Sequence, residues 1–189
     1  MNKTLKDTGL DYIDLMLIHS PHGGGIARKG AWKALVEAQE AGKIRSLGIS
    51  NYGVQHLDEL EGHIKEIGGI ISVGQWELHP WLARPDIVEW CQKRGIVLEA
   101  YCPIVRGKRS DEKVLQPLIK KYGKSAAQVL LRWSLQRGFV PLPKSVTPSR
   151  IEENANIFDF QLTEEEMKSL ETSDYAPCAW DPTISSLDD

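Results

Sequence analysis

The chain has 189 residues, 41% of them apolar and 26% charged, with a formal net charge of −3; this suits one folded domain over residues 1–189, excludes a disordered chain, and disfavours nucleic acid or an anionic membrane as partner. Cys91, Cys102 and Cys178 lie far apart with no CxxC pair, which argues against a disulfide framework or zinc site and for a reducing, cytoplasmic location. The N-terminal MNKTLKDTGLDYID has no apolar signal core, and no apolar run reaches the length of a membrane span.

In chain order, LKDTGLDY reads as the end of a helix leading into a first strand, YIDLMLIH from Tyr12. Four further short apolar runs rich in β-branched residues follow: IRSLGIS from Ile44, IISVGQWE from Ile70, IVLEAYCP from Ile96 and FVPLPKS from Phe139. Helical spacing fills the gaps, with Trp32, Leu35 and Val36 on one face, then Leu57, Leu60 and Ile64, then Ile87, Trp90 and Cys91, then Val129, Leu130 and Trp133. Gly42, Gly95 and Gly138 sit where helices should stop. Ser125 with Gln128, and Thr163 with Glu166, make capping-box patterns that should start two more. The run Gly23–Gly25 lacks a dinucleotide fingerprint spacing and is expected to be a flexible loop.

Alternating strands and helices argue for a parallel sheet covered by helices. Reactive residues close every strand, namely His19, Ser50 with Asn51, Gln75, Tyr101 with Cys102, and Lys144 with Ser145. Barrel enzymes build their sites at such ends, which favours a partial (β/α)8 TIM barrel, with about five of eight βα units present and roughly three expected upstream of Met1. Open strand edges then predict self-association, or complementation by an N-terminal half.

The segments LDYIDLMLIHSP, GISNY, GQWELHPWL, EAYCP and PLPKSVTPSRIEENANIFDFQLTEEEM resemble, in order and spacing, the successive motifs of aldo-keto reductases. The resemblance covers nearly the whole chain as the C-terminal portion of such a barrel, with residues 173–189 as a tail. It implies NADP(H)-dependent reduction of an aldehyde or ketone to an alcohol. A lone histidine at a strand end is more often structural, but the resemblance makes His19 the catalytic residue that orients the carbonyl. It assigns Ser50, Asn51 and Gln75 to the nicotinamide carboxamide, and Tyr101 to the face of the ring. The loop Cys102, Ile104, Arg106 would run past the pyrophosphate, with Cys102 where the family often has serine.

Lys144, Ser145, Val146, Thr147 and Arg150 surround a helix start, with Thr147 at the N-cap and Pro148 first in the helix. Anions bind at such a start, and the resemblance makes this the 2′-phosphate site, with Glu153 and Asn154 at the adenine. His22, His56, His63 and His79 lack metal-ligand spacing, and no metal is expected. The tail carries Trp180 as the residue expected to reach the pocket, or else to pack on the barrel exterior. The family's tyrosine, lysine and aspartate have no match in these residues, so the chain is expected to be impaired as an enzyme. The competing expectation is a non-catalytic nucleotide-binding or regulatory subunit on the same fold.

Overall fold

The structure is a computed structural model and describes residues 2–189. Five strands alternate with helices: α1 (Asn2–Thr8), β1 (Ile13–Ile18), α2 (Gly24–Glu40), β2 (Ile44–Ser50), α3 (Val54–Ile67), β3 (Ile71–Glu77), α4 (Pro85–Gln92), β4 (Val97–Tyr101), α5 (Gln116–Tyr122), α6 (Ala126–Gln136), β5 (Val140–Leu142), α7 (Pro148–Ala155) and α8 (Glu164–Ser169). Each expected strand is present, β2 with its expected start. No helix among the described residues is long and apolar enough to cross a membrane.

The residues divide into two compact units. The first holds residues 2–75, Asp86–Val97 and Asp181–Asp189. In it β1 pairs in parallel with β2, Ile18 opposite Ile49, and β2 with β3, Ser50 opposite Gln75. Leu47, Ile49, Leu57 and Leu60 are buried here together with Trp32. The indole N–H of Trp32 donates to Gly68 O at 3.0 Å, so the large ring is buried without an orphaned donor. Gly48 lies where β2 shifts register against β3, and a Cβ there would collide with Val73 O and the Leu17 side chain.

The second unit holds Trp76–Pro85 and Leu98–Trp180. In it β4 pairs in parallel with β5, Tyr101 opposite Leu142. Helix α6 supplies its core with Val129, Leu130, Leu131 and Trp133, all buried. Both capping boxes form. Ser125 N donates to Gln128 Oε1 at 3.0 Å while Gln128 N donates to Ser125 Oγ at 3.3 Å, and Thr163 and Glu166 repeat the exchange. Gly42, Gly95 and Gly138 follow their helices at φ of 71°, 68° and 79°, the left-handed stop that glycine alone adopts without strain.

One expectation is corrected. Gly24 and Gly25 are not a loop but the first turn of α2, with Gly23 at its N-cap. No side chain caps this helix; the N–H groups of Gly23 and Gly24 instead donate to the backbone oxygen of Asp189 at 2.9 and 2.6 Å. An acceptor 165 or more residues away in sequence replaces the missing cap, which local reading does not reveal.

Candidate functional site

In the first unit the ends of three neighbouring strands bring four of the expected residues together. Parallel register sets Ser50 beside Gln75, and Ser50 Oγ donates to Gln75 O at 2.8 Å. Asn51 takes a left-handed φ of 63°, which its short amide side chain tolerates better than most. From there its Nδ2 donates to His19 O at 2.9 Å and to Ser50 Oγ at 3.0 Å. Both amide hydrogens of Asn51 and the Ser50 hydroxyl proton are thus engaged inside the cluster. Ser50 and Asn51 are buried, whereas His19 itself is exposed one residue beyond β1.

The next residue, Tyr52, is fully buried, and burial pushes its hydroxyl up to about 12. The same unit holds a group with no local signal in the sequence. Buried Arg28 makes two bonds to Glu59, at 2.5 and 2.9 Å, and donates to the oxygens of Pro21 and Leu187. A hydrogen bond from Arg28 holds the Glu59 carboxyl below the ordinary glutamate value, against the opposing effect of burial.

In the second unit the loop after β4 and the start of α7 enclose two adjoining cavities. The first, of about 510 Å³, is lined by Cys102, Ile104, Arg106, Lys144 and Arg150 among others. The second, of about 410 Å³, is lined in part by Ile104, Lys144, Ser145, Arg150, Glu153 and Asn154. Of the residues expected here, Val146 is exposed and, like Thr147, lines neither cavity, and Tyr101 is half-buried beside Cys102. Thr147 occupies the N-cap of α7 as expected but makes no side-chain cap; its N–H donates to Ser145 Oγ at 3.1 Å.

Two features distinguish these cavities. Arg106, Lys144 and Arg150 face them, and none pairs with a carboxylate among the described residues. Cys102, Val105 and Arg106 also hold left-handed φ values of 50°, 51° and 54°. Each such residue costs on the order of 1–3 kcal/mol, and backbone strain of this kind collects at ligand clamps.

Sequence reading missed a third group, in which a buried carboxylate anchors the tail. Glu77 accepts from Cys178 N at 2.6 Å, Ala179 N at 3.1 Å and the His79 ring at 2.8 Å. Thr172 Oγ1 donates to Pro80 O and Ala176 N to Trp81 O, so residues 172–179 are strapped along residues 77–82. Glu77 and His79 are two apart, the same-face spacing of a strand, but their partner lies 101 residues on. Trp180 is half-exposed.

The aldo/keto reductase family profile matches residues 1–174. The chain is 43% identical to an oxidoreductase of Schizosaccharomyces pombe, over 99% of its own length and 66% of that protein's. It is 44% identical to glyoxal reductase of Bacillus subtilis, over 89% of its length and 59% of the relative's. The crystal structure of a Bombyx mori aldo-keto reductase in complex with NADP superposes with a TM-score of 0.78 at 35% identity, covering 89% of this chain and 60% of that one. The chain thus spans about three-fifths to two-thirds of the length of these relatives. Its five βα units are part of a (β/α)8 barrel, and the chain belongs to the aldo/keto reductase family.

Proposed function

We propose that these residues form the cofactor- and carbonyl-binding part of an NADP(H)-dependent reductase that converts small aldehydes or ketones to alcohols. The observation that carries this reading is the convergence of Arg106, Lys144 and Arg150, unneutralised, on cavities walled by strained backbone. Three cations match a dinucleotide that carries an extra phosphate better than one that does not. Lys144 and Arg150 would hold the 2′-phosphate, Arg106 the pyrophosphate, and Glu153 and Asn154 the adenine side. Bound NADPH supplies the hydride.

The chain's own part is positioning. The bonds from Asn51 to His19 O and from Ser50 to Gln75 O fix the strand ends, so His19 meets a carbonyl oxygen in a set orientation. The 189 residues contain no match to the family's tyrosine–lysine–aspartate set, so alone they bind and orient but lack the acid that protonates the alkoxide. General acid catalysis is worth about 100- to 10,000-fold, and turnover by these residues alone is expected to be low by that factor. A segment carrying the tyrosine, supplied to complete the barrel, should restore it, whereas a second copy of these residues should not. The three free thiols suit action in the cytosol. Glyoxal, named for the Bacillus relative, is the first substrate to assay.

Fluorescence titration tests the reading. Lys144→Ala with Arg150→Ala should weaken NADPH by tenfold or more, the size of a charge-assisted hydrogen bond of about 1.5–3 kcal/mol, and leave NADH nearly unchanged. An equal loss for both cofactors refutes the 2′-phosphate assignment. Cofactor binding with no turnover, even when an aldo-keto reductase N-terminal half is supplied, favours a non-catalytic nucleotide-binding module.

A further inference from the structure

Glu77, His79 and Cys178 each present one ligand atom, and these atoms all lie within 4.8 Å of one another. Glu77 and His79 are fully buried, and the thiol is half-buried. His79 meets the Glu77 carboxylate through Nε2 at 2.8 Å, which makes Nε2 the ring nitrogen available to a shared metal. The set combines one soft sulfur, one imidazole and one carboxylate, ligands that suit zinc and its neighbours rather than magnesium or calcium. We propose that Glu77, His79 and Cys178 form a binding site for a soft divalent cation of the zinc class, which clasps the C-terminal tail to the end of β3.

Size and charge both fit. Tetrahedral bonds of about 2.0–2.3 Å place ligand atoms roughly 3.3–3.8 Å apart, so closure asks for a shift of about 1 Å in a tail already tied to Glu77 by two backbone N–H groups. On binding, the Cys178 S–H bond breaks, a sulfur–metal bond forms and the proton leaves to solvent. Thiolate and carboxylate then balance the dication, so the buried site carries no net charge from its ions. Water supplies the fourth position. The His79–Glu77 hydrogen bond gives way to two metal bonds, and the ring's other nitrogen takes the proton. Sequence spacing could not show the site, because Cys178 lies about 100 residues beyond the other two ligands.

Cobalt reports the geometry directly. Titration of the metal-free chain with Co2+ should saturate at one equivalent, with a sulfur-to-cobalt charge-transfer band and tetrahedral visible absorption that added Zn2+ bleaches. Cys178→Ser should abolish the band and leave the circular dichroism of the metal-free chain unchanged, whereas Cys102→Ser should keep the band. His79→Gln should weaken Co2+ at least tenfold. Zn2+ should also raise the unfolding midpoint of the parent chain but not of Cys178→Ser. No band in the parent chain, a band that survives Cys178→Ser, or an equal Zn2+ effect on both overturns the assignment. None of these readouts needs cofactor or turnover.

Discussion

The Asn51 side-chain amide donates to the backbone oxygen of His19 at 2.9 Å, tying the residue after β2 to the residue after β1. Asn51 does so from a left-handed φ of 63°. Two substitutions separate these contributions. Asn51→Gly keeps the backbone relaxed but loses both amide bonds and should cost about 1–3 kcal/mol. Asn51→Ala adds backbone strain and should cost about 1 kcal/mol more. Urea unfolding monitored by tryptophan fluorescence measures both, and equal losses would mean that the backbone conformation contributes nothing.

Arg28 and Glu59 should give the chain a distinct response to acid. The folded-state carboxyl lies below its unfolded value, chiefly through the bond to Arg28. Its stabilisation is therefore complete above the unfolded glutamate pKa of about 4.3 and is lost as pH falls through the lower folded value. Glu59→Gln leaves Arg28 buried without its counter-charge and should cost about 3 kcal/mol at pH 7, the lower end for a broken buried pair since Glu59 is partly exposed. The gap between parent and variant should narrow as pH falls below about 4. A gap that stays constant over that range would show that the pair does not titrate as a unit.

Gln128 joins two helices beside the cavity. Its Oε1 closes the capping box on Ser125, while its Nε2 donates to Glu153 O at 3.0 Å and Asn156 O at 2.9 Å. Ser125→Ala should cost about 1 kcal/mol, as caps do. Gln128→Ala also frees the carbonyls of Glu153 in α7 and of Asn156 just after it, and should cost roughly 2–3 kcal/mol. Because Ser125 and Glu153 both line the cavity, both variants should weaken binding of 2′,5′-ADP, the second more strongly, by several-fold in a calorimetric titration.

What could be read from the sequence was whatever rests on neighbours. β-branched runs marked the strands, the Ser125 and Thr163 boxes marked helix starts, and strand-end polar residues marked the clusters at His19, Ser50, Asn51 and Gln75. Lys144 and Arg150 were legible as two cations at a helix start because Pro148 and the spacing to Arg150 are local, and both line the cavities. The rest depends on partners that spacing does not encode. The acceptor for the α2 start is Asp189, the counter-ion of Arg28 lies 31 residues on, and the tail's anchor is Glu77. The left-handed run at Cys102, Val105 and Arg106 was equally hidden, since no glycine marks those three positions.

The three thiols differ in a way that matters at the bench. Burial pushes Cys91 up to about 12, and burial with the nearby Glu77 carboxylate pushes Cys178 to about 12 as well. Thiolate is the nucleophile, so both should resist maleimide near neutral pH. Cys102 remains, in the cavity wall beside Arg106. One dye should therefore attach per folded chain, NADP+ should slow its attachment, and Cys102→Ser should abolish it in mass spectra; two or more dyes on the folded chain would contradict the suppressed ionisation of Cys91 and Cys178. The cavity thus brings its own attachment point for a fluorophore, and its filling and emptying can be followed optically without engineering a cysteine into the protein.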